Sequence, residues 1–185
     1  MDLVSKRPVD LFYFTFLSLH IPATLAIDLQ SLYPKHLIPS FLKSILNFWI
    51  SISNDPILQG GDTSSPLWAW IKSFIALEAI FQLPIFIYGS YCLYNNMKSV
   101  EIPLLIYGVS ASTTTFACLA TILALPVYEP PFPPPLIGAL ALSPEQRTVL
   151  LAAYTPYLIV PIFLACDMAG RISNRLSFSH QKKFN

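Results

Sequence analysis

Residues 149–170 read VLLAAYTPYLIVPIFLACDMAG, 22 positions in which Asp167 is the only charged side chain. A run this long and this apolar crosses the roughly 30 Å hydrocarbon core of a bilayer when it is helical. Three similar runs precede it, at about residues 11–32, 71–93 and 103–125. None shows the polar/apolar alternation of a barrel strand, and an open sheet would leave unpaired backbone groups in lipid. The chain is therefore predicted to be all-α: a polytopic membrane protein whose four transmembrane helices lie within residues 11–170, flanked by a short N-terminus (1–10) and a basic tail (171–185).

Composition agrees with that reading. Of 185 residues, 54% are hydrophobic and 11% charged, about half the charged fraction of a soluble domain. The 11 basic and 10 acidic residues nearly balance, which gives no basic field for nucleic acid. The 6 glycines are too scattered for a phosphate-binding loop and no zinc-ligand spacing occurs, so neither cofactor nor metal is expected.

Basic residues set the orientation. Lys6, Arg7, Lys98, Arg171, Arg175, Lys182 and Lys183, seven of eleven, fall on the side shared by both termini and the second loop, which is predicted to be cytosolic. The first apolar run carries Thr15, Ser18 and His20 and is followed by Asp28 rather than a small-x-small site, so it reads as a span and not a cleaved signal peptide. Cys92, Cys118 and Cys166 sit within or at the end of spans and read as packing residues. The terminal Lys182-Lys183-Phe184-Asn185 resembles the dilysine retrieval signal of endoplasmic-reticulum membrane proteins, which works from a cytosolic tail. A basic tail meeting anionic lipid is the plainer reading of the same residues.

The loops are less informative. Phe41, Ile45, Phe48, Trp49 and Ile52 recur at helical spacing between polar residues, as in a helix that lies in the membrane interface or roofs the bundle. Ser53, Asn54 and Asp55 before Pro56 offer helix-capping chemistry, which makes Asp55 structural. Glu129 and the prolines between Pro130 and Pro135 are expected to form an extended, stiff spacer.

The informative residues are those that lipid penalises. A carboxylate at mid-helix costs about 2.5 to 3.5 kcal/mol on insertion scales, so Asp28 and Glu78 must face the bundle interior. Counted from Pro34 and Lys72, each lies six residues inside its span, roughly 9 Å deep on neighbouring antiparallel helices. Two carboxyls in low dielectric cannot both ionise cheaply. One is expected to hold a proton and hydrogen-bond to the other, leaving about one negative charge for a ligand amine. Gln82 lies one turn after Glu78, and His20 two turns before Asp28. The alternative is a set of interhelical hydrogen bonds that ties the bundle together. Ser110, Ser112, Thr113, Thr114 and Thr115 suit close helix packing, with Tyr107, Ser110 and Thr114 on one face. Pro22, Pro84, Pro103, Pro156 and Pro161 interrupt or open the spans and favour an internal cavity. Asp167 and Arg171 form an i,i+4 pair.

His20-Ile21-Pro22, Asp28-Leu29-Gln30, Asp55-Pro56-Ile57-Leu58-Gln59, Trp70 to Phe74, Glu78, Phe81 to Pro84, and Tyr154 to Pro161 together resemble the sigma-2 receptor (transmembrane protein 97) family. That family groups with the emopamil-binding proteins as EXPERA proteins, and its fungal relatives are named for efficient mitochondrial protein targeting. The resemblance implies an endoplasmic-reticulum membrane protein with an occluded four-helix pocket for sterols and cationic amphiphilic amines. It also implies a homodimer, a role in sterol homeostasis and transport, and contact with sterol-transport or precursor-targeting proteins. By motif, Asp28 resembles the acid that pairs with the amine, Glu78 its neighbour, and Gln82, Thr114 and Tyr157 pocket-lining positions, while Asp55 resembles a fold-supporting loop acid. Two departures are the absence of a histidine from Tyr107-Gly108-Val109-Ser110-Ala111-Ser112 and the proline-rich third loop.

Non-enzymatic sterol or lipid binding is the function expected. An isomerase shifting a sterol double bond would use a protonated Glu78 and an ionised Asp28 as acid and base. The related isomerases place histidine and acids differently, in their second and third helices, whereas the membrane-embedded histidine here, His20, is in the first. A factor assisting mitochondrial precursors is the third class.

Overall fold

A computed structural model describes residues 7–128 and 141–184, with the side chains of 178–184 left aside. Lys6, the proline-rich segment and the side chains of Lys182 and Lys183 thus lie outside the described residues. The chain forms α1 (Pro8–Ala26), α2 (Ser40–Ser53), α3 (Pro56–Asp62), α4 (Ala69–Leu77), α5 (Leu83–Tyr94), α6 (Glu101–Ala124) and α7 (Pro144–Phe184). Four helical stretches are long and apolar enough to cross a membrane: Pro8–Leu32, Pro66–Tyr94, Lys98–Ala124 and Pro144–Ser177. They coincide with the four runs read from the sequence. α7 continues as one helix from the fourth span through the tail to Phe184.

Two spans depart from regular α-helix, both at an acid. The first was expected to be helical through Asp28, but α1 ends at Ala26, Ile27 leaves helical geometry (φ −124°, ψ −63°), and Asp28–Leu32 form a 3-10 turn. A helix end inside a membrane needs its carbonyls satisfied. The Gln30 side chain donates to the carbonyls of Ala26 (2.6 Å) and Leu42 (2.9 Å), and the Tyr33 hydroxyl donates to that of Leu25 (2.9 Å). In the second span, Glu78–Gln82 form a π-turn between α4 and α5, closed by the Leu83 N–H donating to the Glu78 carbonyl. Pro84 follows directly; it lacks an N–H and crowds the carbonyl four residues back, so the ladder widens just before it.

Packing between spans is close where side chains are small. A Cβ on Gly108 of α6 would stand 2.6 Å from the Pro161 carbonyl oxygen of α7, so the two backbones approach as they do around small residues in membrane bundles. One core cluster gathers Tyr13, Leu17, Phe86, Leu104, Tyr107, Leu164 and Met168 toward the end holding the termini; the other gathers Leu29, Ile57, Ile71, Ile75, Cys118, Ile122 and Leu150 toward the loops.

At the end with the termini, Arg171 bonds Asp10 and Asp167 (each 2.7 Å), Arg7 also pairs with Asp10, and Arg175 pairs with Glu101. The expected Asp167–Arg171 pair is thus part of a clasp across α1, α6 and α7. At the opposite end, α2 turns Trp49 and Ser53 inward and leaves Phe41, Ile45, Phe48 and Ile52 exposed. It both roofs the bundle and presents an apolar stripe suited to the bilayer interface. Ser143 and Gln146 form a reciprocal capping box at the start of α7.

Candidate functional site

The helix break and the π-turn face each other. The Thr24 hydroxyl of α1 donates to Glu78 Oε1 (2.7 Å), and donor atoms of His20, Asp28 and Glu78 all lie within 4.8 Å of one another. Asp28 and Glu78 therefore meet across two spans, as their depth predicted. Thr24, one turn before Asp28, brings its hydroxyl between the two acids and donates to Glu78.

These groups open into a cavity of about 380 Å³, within the range of small-molecule sites. His20, Asp28, Glu78, Gln82, Thr114 and Tyr157 all line it, beside Ile71, Phe74, Ile75, Ala111 and Cys118. Gln82 is buried and donates to Ser110 Oγ (3.3 Å), so Ser110 orients the amide, while Tyr107 is buried edge-on against Phe86 and does not line the cavity. The ring of His20 stacks on Phe86 (centroids 4.5 Å apart) and lies 4.6 Å from that of Tyr157. Its Nδ1 is buried without a hydrogen-bond partner among the described residues.

Asp55 lines the same cavity on different terms. It is fully buried and caps α3, accepting from the Ile57 and Leu58 N–H groups (2.9 and 3.2 Å), from Trp49 Nε1 (2.9 Å) and from the Tyr154 hydroxyl (3.0 Å). Burial pushes its carboxyl above the ordinary range and these donors pull it back. Asn54 before it takes the left-handed conformation (φ 48°) that ends α2. A second, more polar cleft of about 520 Å³ lies on the loop side, flanked by Lys35, Lys43, Asn47 and Asp62; Ile27, Asp28, Leu58 and Ile75 line both spaces.

Thr24, Gln30 and the backbone breaks escaped sequence reasoning. Thr24 carried a usable signal, since it precedes Asp28 by four residues on the face that must point inward. Gln30 carried none, because its second acceptor, the Leu42 carbonyl, becomes a neighbour only in the fold.

Residues 41–168 match the model of EXPERA (EXPanded EBP superfamily). The chain belongs to the EXPERA family. Sigma intracellular receptor 2 of Homo sapiens is 35% identical over 157 residues, 83% of this chain and 82% of the relative. Efficient mitochondria targeting-associated protein 19 of Schizosaccharomyces pombe is 30% identical over 164 residues, covering 88% and 75%. The protein of the same name from Saccharomyces cerevisiae is 27% identical over 160 residues, covering 83% and 92%. The chain is thus a sigma-2 receptor-like multi-pass membrane protein, and the names of these relatives specify no reaction.

Proposed function

We propose that this EXPERA protein binds sterols and cationic amphiphiles in its intramembrane cavity, without catalysis. The observation that carries the proposal is the meeting of Asp28 and Glu78 inside an apolar cavity, where the Thr24 hydroxyl is their one hydrogen-bond donor among the described residues. An ammonium head would compensate the acid pair, donating to both carboxyls, while Tyr157, Phe74 and Ile71 hold the apolar body. A sterol hydroxyl would use the same acids as donor or acceptor. The cellular role that follows is sterol or lipid homeostasis in the endoplasmic-reticulum membrane, with both termini cytosolic and Lys182 and Lys183 as retrieval signal.

Competition decides the shared site. A radiolabelled cationic amphiphile should bind purified protein saturably and be displaced by sterol. A sterol that binds without displacing the amine contradicts a common cavity, and a sterol whose double bond moves during incubation contradicts the non-enzymatic reading. The names of the two fungal relatives support a second reading, a factor assisting mitochondrial precursors. An import defect on deletion, rescued equally by an Asp28→Asn variant, would favour it.

A further inference from the structure

We propose that His20, Asp28 and Glu78 form a binding site for a first-row divalent cation such as zinc. The site uses the acid pair invoked above but requires neither sterol nor amine to bind there. Its donors come from two spans, which is why no metal-ligand spacing is visible along the chain.

Three observations carry it. Donor atoms of all three residues lie within 4.8 Å of one another, a spread that side-chain rotation closes to the roughly 3.3 Å between ligand atoms of a tetrahedral site with bonds of about 2.0 to 2.1 Å. His20 makes no side-chain hydrogen bond among the described residues, so a ring nitrogen beside the two acids is free to ligate, and its buried Nδ1 has no partner to hold the ring in another role. Finally, charge balances: two carboxylates and one dication are neutral together, whereas a single ammonium leaves one negative charge unless an acid keeps its proton. In an apolar cavity the neutral combination is favoured.

The set of one imidazole and two carboxylates suits zinc and its first-row neighbours. Three protein donors are one short of four, which leaves a position for water or for the oxygen of a ligand hydroxyl. The Thr24 hydroxyl, bonded to Glu78 Oε1, would orient that carboxylate from behind, and stacking on Phe86 fixes the imidazole plane. Cation and ammonium would then exclude one another from the cavity, while a sterol hydroxyl could join the cation.

The test uses the full chain, purified in detergent and stripped with chelator, titrated with cobalt(II) alone. The site predicts uptake of one equivalent with the intense visible absorption of low-coordinate cobalt, displaced by zinc. His20→Phe, which keeps the ring stacking and removes both nitrogens, should weaken uptake by more than about 10-fold, as should Glu78→Gln. Cys166→Ala, at an exposed thiol that does not line the cavity, should leave it unchanged. A cooperative thermal transition in detergent close to the parent's reports that His20→Phe is folded; His20→Leu replaces it if it is not. Failure of the parent to take up cobalt, or uptake by His20→Phe equal to the parent's, overturns the proposal. Cobalt uptake without amine binding would sink the ligand reading above and leave the cation site standing; amine binding without cobalt uptake does the reverse.

Discussion

Three carboxyls line one cavity, and the protein treats them differently. Asp55, on the short helix beneath the loops, receives four donors: two backbone N–H groups, an indole and a phenol. Asp28 and Glu78, held by a broken helix and a π-turn, receive between them, among the described residues, the one Thr24 hydroxyl. A buried acid with its acceptor sites filled is an anchor, because the groups it holds would otherwise be unsatisfied. A pair left open toward an apolar space retains the capacity to bind something else. The difference separates stability from binding, and substitutions at the acids should move one quantity and spare the other.

The largest effect is expected at the anchor. Asp55→Ala removes the cap of α3 and orphans the indole and phenol, a loss of about 3 kcal/mol that lowers the thermal midpoint in detergent by roughly 10 °C. A midpoint within a degree or two of the parent's would show that the four donors are not what holds the loop end. Next comes the open pair: Asp28→Asn or Glu78→Gln should weaken binding of a radiolabelled cationic amphiphile about 100-fold, with the midpoint nearly unchanged. Thr24→Val should cost about 5-fold in that affinity, since it removes the hydroxyl that orients Glu78. Equal affinity would mean the hydroxyl is incidental. The smallest effect belongs to Tyr154→Phe, which takes one donor of four from Asp55 and should cost less than about 1 kcal/mol, with amine binding intact. If Tyr154→Phe instead weakens binding more than Thr24→Val does, the partition between anchor and site is drawn in the wrong place.

Much of this arrangement was legible along the chain. Hydropathy located four spans because the bilayer sets their length, and the cost of a carboxylate in lipid singled out Asp28 and Glu78. The capping role of Asp55 followed from the residues around Pro56, and the capping geometry is the one observed. The backbone was harder to read. Hydropathy registers how many apolar residues occur, not whether their hydrogen-bond ladder is continuous, so the 3-10 turn at Asp28 and the π-turn at Glu78 left no trace in it. Pro84 announced an irregularity but not its hand or its register. The Gln30 cap depends on the Leu42 carbonyl, a neighbour brought in by α2, and the unpartnered His20 nitrogen is a property of the packed interior. What the sequence left open is therefore tertiary in origin, and it lies at the site itself.

The most direct measurement is amine affinity and thermal midpoint determined together for the parent, Asp28→Asn, Glu78→Gln and Asp55→Ala. The account predicts that the first two variants lose affinity about 100-fold at a nearly constant midpoint, while Asp55→Ala loses its midpoint. Parent-like affinity in both Asp28→Asn and Glu78→Gln would contradict it.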